Sequence, residues 1–179
     1  NPWNLKQGSS GSSAGSASAT AAGLIPFAIG TETQGSIISP STRCGVTGLR
    51  PTFGRVSRYG AMALAWSMDK IGPICRSALE CGLVFDVIQG KDENDPSSHD
   101  ASFKYQTLDD LTEIKMAYIA DLYGQDRTNR INDSLSLEVF KELGCSPVSI
   151  DLPVGIPVSA MSLILDAEAA AAFDELTRS

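Results

Sequence analysis

Gly11-Ser12-Ser13-Ala14-Gly15-Ser16-Ala17-Ser18-Ala19-Thr20-Ala21-Ala22-Gly23, followed at once by Leu24-Ile25-Pro26-Phe27-Ala28-Ile29, is the stretch whose reading decides the fold. Residues 7 to 23 are almost entirely Gly, Ser, Ala and Thr, the composition of a flexible linker. Two features argue for order instead. Alanine becomes frequent from Ala14 onward, and alanine is the strongest helix former. The run then passes without a break into an apolar segment of strand length. The reading is a Ser/Gly loop to about residue 12, a small-residue helix to about residue 22 stopped by Gly23, and a buried strand over 24–29. A helix with so little bulk has to lie very close to other backbone.

Working outward, Gly30-Thr31-Glu32-Thr33-Gln34-Gly35-Ser36 reads as a second polar loop, followed by a turn through Pro40 and a strand over 46–49. Residues 50–65, with Pro51, Gly54 and Gly60, read as irregular. Residues 77–88 form an amphipathic helix, with Ser77 as N-cap and Glu80 completing a capping box. After a polar loop over 90–107 come a strand at 115–120, a helix at 129–143 ended by Gly144, a strand at 147–150 and an alanine-rich helix at 158–176. Alternating strands and helices place the chain in the α/β class, as a mixed β-sheet flanked by helices and at least partly parallel. The opening at Asn1-Pro2 without Met, and the close at Leu176-Thr177-Arg178-Ser179 inside a helix, read as cuts at both ends. Residues 1–179 are therefore expected to be the central part of a single domain.

Bulk properties narrow the function. The 179 residues are 42% hydrophobic and 20% charged, as in a globular domain with a real core. The formal net charge of −7 argues against a nucleic-acid footprint, which needs clustered Lys and Arg. No apolar run reaches the roughly 18 residues of a membrane span. Cys44, Cys75, Cys81 and Cys145 contain no C-x-x-C pair and there is one histidine, so a structural zinc site is not expected and the thiols read as reduced and buried. That favours a cytoplasmic location. No metal or other cofactor is implied.

Two serine-bearing loops flanking a helix and a strand admit several chemistries. A Walker loop would end in Gly-Lys-Ser/Thr, which does not occur, and a dinucleotide fingerprint would follow a strand, which the 8–15 stretch does not. Gly11-Ser12-Ser13-Ala14-Gly15 matches G-x-S-x-G, but a nucleophile elbow must follow a buried strand, and Asn4-Leu5-Lys6-Gln7 is not one. His99, in the polar run Asp95-Pro96-Ser97-Ser98-His99-Asp100, reads as a solvated loop residue. A serine can instead be activated by a neutral lysine, which must be buried to lose its proton. Lys6, Lys70, Lys91, Lys104, Lys115 and Lys141 all lie outside strongly apolar stretches near the serine loops. The residues by themselves thus stop at serine loops with no base in the segment.

From Gly11 to Pro73 the chain closely resembles the amidase signature family. The resemblance runs in order through Gly11-Ser12-Ser13-Ala14-Gly15-Ser16, Ala21-Ala22-Gly23-Leu24-Ile25-Pro26 and Gly30-Thr31-Glu32-Thr33-Gln34-Gly35-Ser36-Ile37. It continues through Pro40, Cys44-Gly45-Val46-Thr47-Gly48-Leu49-Arg50-Pro51-Thr52, Gly54-Arg55-Val56-Ser57 and Asp69-Lys70-Ile71-Gly72-Pro73. It implies an amidase hydrolysing a carboxamide C–N bond with a Ser–cis-Ser–Lys triad. By position Ser36 is the nucleophile that forms the acyl-enzyme and Ser12 the bridging serine. The peptide bond before Ser12 is then expected to be cis, with the Ser12 hydroxyl in reach of Ser36. The backbone N–H groups of Thr33, Gln34, Gly35 and Ser36 are expected to bind the oxyanion and substrate. The family's lysine lies well upstream of the serine loop, so no lysine of this chain is assigned, and the 179 residues alone are expected to have negligible activity. Asp69 is read as a structural cap, and Arg55 and Arg58 as structural or surface residues.

Two departures bear on substrate: Gln34-Gly35 stands where the family often has Gly-Gly, and Ile38 where it often has Arg. The implied substrate is a small or medium carboxamide, and a homodimer is compatible with the reading. Two alternatives stay open. One is the glutamine-hydrolysing A subunit of a tRNA-dependent amidotransferase, which shares the motif and works with partner subunits. The other is a non-catalytic relative.

Overall fold

The computed structural model describes residues 1–108, 110–120, 130–153, 155, 157 and 160–179. These divide into two compact units. The first comprises Asn1–Tyr105 with the C-terminal helices, and the second is the intervening stretch from Gln106 onward.

In the first unit the small-residue helix is present as α1 (Ala14–Ala21). Gly23 stops it at φ 70°, with Gly23 N–H donating to Thr20 C=O and Leu24 N–H to Ala19 C=O, a Schellman closure. That closure explains why the strand expected over 24–29 begins late, as β1 (Ala28–Glu32). The Leu24 N–H is already spent on the helix cap and Pro26 has none, so no ladder can form before Ala28. Leu24 and Phe27 are correspondingly exposed.

The turn expected through Pro40 is instead a helix, α2 (Ile38–Cys44). Pro40 is tolerated there because the N–H groups of a first helical turn have no intrahelical partner. A two-residue strand, β2 (Thr47–Gly48), follows within the expected 46–49. The sequence reading missed β3 (Lys70–Cys75), which lies in the middle of an antiparallel sheet ordered β1-β3-β2. Gly72 and Pro73 are poor strand residues by propensity, and tertiary pairing overrides them. Pro73 C=O accepts the Leu49 N–H, so the proline nitrogen faces the side where β2 has already ended and no donor is needed. Gly72 allows the close approach, since a Cβ there would strike the Leu49 carbonyl oxygen.

The register Ile29↔Pro73 and Thr31↔Ile71 turns the backbone groups of Ile29 and Thr31 away from β3, toward the free edge of β1. Serines of the small-residue segment meet them. Ser16 Oγ donates to Ile29 C=O (2.9 Å), and Ser13 Oγ both donates to Thr31 C=O and accepts from Thr31 N–H (3.1 Å each). The expected closeness is real: a Cβ on Gly30 would lie 2.9 Å from Ser13 Oγ and from Ile74 Cδ1. Ala17, Ile37, Cys44 and Ile74 form the buried core between α1, α2 and the sheet. Next, α3 (Ala78–Ile88) packs on β3 and β2, with Ser77 and Glu80 forming the expected capping box.

The second unit contains β4 (Ala117–Ile119), α4 (Arg130–Glu142) and β5 (Val148–Ile150), with β4 and β5 paired in parallel. Gly144, at φ 92°, follows α4 as expected. The expected start of that helix at residue 129 lies outside the described residues, as do residues 158 and 159 of the last helix. That last helix is α5 (Met161–Ala172), interrupted at Phe173 and continued as α6 (Asp174–Arg178). The α/β class holds, the described residues forming two sheets with helices, one antiparallel and one parallel. Among the described residues no helix is long and apolar enough to cross a membrane.

Candidate active site

The turn Thr33-Gln34-Gly35-Ser36 leaves the end of β1 and runs into α2. Ser36 and Gly35 are half-buried, Gln34 is exposed and Thr33 is buried. The next side chain, Ile37, is completely buried and anchors the turn in the core. Glu32, at the end of β1, is also fully buried. Its Oε2 accepts the N–H groups of Ile37 (2.8 Å) and Ile38 (2.9 Å), and its Oε1 meets Arg50 at 3.4 Å. A carboxylate at a helix N-terminus is well placed for charge and for hydrogen bonding. Here it fixes the direction in which the chain leaves Ser36.

The first serine loop is strapped onto this turn. Ser13 N–H donates to Ser36 C=O at 3.1 Å, and the Ser10 and Ser39 hydroxyls are 2.6 Å apart. The Gly11–Ser12 peptide bond is cis, as the resemblance implied, but the expected contact is not made: no hydrogen bond joins the Ser12 and Ser36 hydroxyls, and Ser36 does not line the cavity that Ser12 faces. The two adjacent serines differ in role. Ser13 spends its hydroxyl on the Thr31 backbone, whereas Ser12 is exposed and lines a cavity of about 260 Å³. Thr31, Thr33, Asp69 and Lys70 share this wall, and Met62, Leu64 and Trp66 supply an apolar side.

Asp69 acts as the expected cap. Its Oδ2 accepts the Leu64 and Ala65 N–H groups (2.8 and 3.1 Å), and its Oδ1 accepts the Thr33 hydroxyl at 2.6 Å. Arg58 is structural: it stacks 4.4 Å over the Phe53 ring, donates to Ser97 Oγ and lies 3.7 Å from Asp95. His99 donates its backbone N–H to Gly54 C=O and rests its ring on Gly54.

Lys70 stands where the sequence reading had found no lysine near the serines. Its Nζ donates to Thr33 C=O at 3.1 Å and also to Met68 C=O. Burial pushes its pKa below the ordinary lysine value; Arg50 and Arg58 add to this, while Glu32 and Asp69 oppose it. Lys70 sits opposite Glu32 in the β1–β3 register, a pairing that no local pattern announces. Glu32 was legible only as part of the quoted motif. A charged residue ending a strand just before a polar turn is the one sequence signal that could have marked it.

A family model described as Amidase matches residues 1–178. The chain belongs to the amidase family. This amidase-family chain is 39% identical over 177 residues to the A subunit of glutamyl-tRNA(Gln) amidotransferase from Chromohalobacter salexigens, covering 94% of this chain and 36% of the relative. It is equally similar, 39% over 165 residues, to the protein of the same name from Staphylococcus saprophyticus, with 88% and 34% covered. Among solved structures it superposes on the A subunit of glutamyl-tRNA(Gln) amidotransferase from Thermotoga maritima with a TM-score of 0.88 at 32% identity, covering 99% of this chain and 42% of that one. On the native peptide amidase of Stenotrophomonas maltophilia the TM-score is 0.75 at 29% identity, with 98% and 38% covered. The chain thus spans roughly a third to two fifths of the length of these relatives.

Proposed function

We propose that this chain carries the nucleophile half of an amidase site, a central part of one amidase domain, and that the whole protein hydrolyses a small or medium carboxamide. The observation that supports the reading is the strap between the serine loops. With Ser13 N–H bonded to Ser36 C=O, Ser12 and Ser36 belong to one local structure, and Ser12 is the member of the Ser12-Ser13 pair that faces a cavity. In this reading Ser36 Oγ attacks the amide carbonyl carbon. Its proton passes to Ser12, whose own proton goes to a neutral lysine outside these 179 residues. The oxyanion is met by N–H groups of the 33–36 turn. The C–N bond breaks as the proton returns through Ser12 to the leaving amine. Water then attacks the acyl-Ser36 ester by the same relay, releasing the acid and restoring Ser36.

The test uses the whole protein, an aryl carboxamide and an alkyl fluorophosphonate that phosphonylates activated serines. Ser36→Ala is expected to lower turnover by about 10⁴-fold or more and to abolish labelling, as loss of a nucleophile does elsewhere. Retained turnover in that variant sinks the assignment. Wild-type protein that neither turns over nor labels supports the non-catalytic alternative.

A second reading, glutamine hydrolysis within an amidotransferase of several subunits, is favoured by the names of the relatives above. Ammonia release from glutamine that appears only with partner subunits would select it. Release from simple carboxamides by the protein alone would select the stand-alone amidase.

A further inference from the structure

The N–H of Gln34 and the C=O of Thr33 belong to one peptide unit. Gln34 N–H is one of the donors placed above around the oxyanion, and the Lys70 Nζ donates to the other end of that unit, Thr33 C=O, at 3.1 Å. The unit is trans, so its two polar bonds point in opposite directions. A cation fixed on the oxygen therefore aims the N–H away from Lys70. It also withdraws electron density along the amide, making the N–H a stronger donor, as in any chain of polarised hydrogen bonds.

We infer that Lys70 is a positioning residue of the amidase reaction: its ammonium orients and polarises the Thr33–Gln34 peptide so that the Gln34 N–H meets the developing oxyanion. This rests on the reading of Ser36 as nucleophile. Three contacts hold the peptide in place. Thr33 Oγ1 is bonded to Asp69, whose other oxygen caps the turn that precedes β3. Lys70 Nζ is held a second time by Met68 C=O. Glu32 secures the far end of the segment through Ile37 and Ile38. Lys70 itself touches no reacting atom in this arrangement; it acts through the peptide.

The inference carries a pH signature. Arg50 and Arg58 face Lys70 with like charge, Glu32 and Asp69 with opposite charge, and burial dominates, lowering its pKa. When pH rises through that lowered value the ammonium becomes an amine, the polarisation weakens, and the rate falls. The lysine that serves as base moves the rate the other way, because its neutral form is the active one.

The experiment measures the inactivation of the whole protein by the alkyl fluorophosphonate, resolved into the maximal rate and the concentration for half-maximal rate. A tetrahedral phosphonyl centre forms on the serine, so the readout needs no knowledge of the natural substrate. Lys70→Met is expected to lower the maximal rate by about tenfold, less than the roughly 10²–10³ of removing an oxyanion donor outright, with the half-saturating concentration unchanged. Lys70→Arg, which keeps a cation that does not titrate in this range, is expected to retain the rate and to lack the alkaline fall expected of the wild type. Wild-type kinetics in Lys70→Met overturn the inference, and so does an equal loss in both variants with no change in the pH profile. Absence of Ser36-dependent labelling in the wild type overturns the nucleophile reading itself, a result that looks different from either.

Discussion

The Glu32 carboxylate is the acceptor for two successive N–H groups, so replacing it orphans both. Glu32→Ala is expected to destabilise the fold by about 2–4 kcal/mol, with one buried and one partly buried donor left unpaired. Glu32→Gln, which keeps one acceptor oxygen, should cost less. Urea denaturation of the two variants checks the ordering. Arg50 contributes little to this balance, because its side chain is half exposed and solvent screens the pair. His99→Ala, in contrast, should leave turnover intact, since His99 is held by its backbone and rests on Gly54. A large fall in kcat with folding preserved would bring back a histidine mechanism.

At the level of elements, the serine content of α1 and its approach has a structural cause. The free edge of β1 exposes the backbone groups of Ile29 and Thr31, and short hydroxyl side chains are what can reach them from a closely packed helix. Ser13→Ala strips the partner from both Thr31 groups and should cost about 1–3 kcal/mol. It should also lower turnover, because the same residue joins the Ser12 loop to Ser36. Ser77→Ala is the control. It removes the α3 cap, at a cost of about 1 kcal/mol, from an element that does not reach the serine loops, and should leave turnover unchanged. Thermal melts and a turnover assay on the two variants separate structural from site effects.

For the molecule as a whole, the thiols give a test of how well the core is closed. Cys44, Cys75, Cys81 and Cys145 are all free and buried. Burial, with Cys81 adjacent, pushes the Cys75 thiol up to about 12. The unfolded chain loses that proton near the ordinary thiol value, so the folded state binds more protons between the two values. Stability associated with Cys75 is therefore fully present below the unfolded value and is lost as pH rises toward about 12. Cys75→Ala should flatten the alkaline loss of stability relative to wild type. At neutral pH the native protein should react with a thiol-specific disulfide reagent far more slowly than the urea-unfolded protein. Fast labelling of Cys75 in the folded state would show that the β3–α3 junction opens.

Features set within a few residues were legible in the sequence: the small-residue helix and its Gly23 stop, the Ser77–Glu80 box, the strand-helix order of the tail, and the two serine loops with the family resemblance they carry. Their energies depend on neighbours along the chain, through helix propensity, capping and turn chemistry. What failed was decided across the chain. The strand over 24–29 was displaced because the α1 closure consumes the Leu24 N–H. The Gly72-Pro73 strand was missed because only its two partners make it a strand. Only the fold showed that Ser13 is taken up by the free edge of β1 while its neighbour Ser12 is not, and Lys70 was brought beside the 33–36 turn by the β1–β3 register. Such pairings become favourable only once the loops between them have closed and the chain has met the loop entropy, so no local window of sequence contains them. The sequence by itself determined which groups of this amidase-family chain are available; the tertiary structure decided which of them face one another.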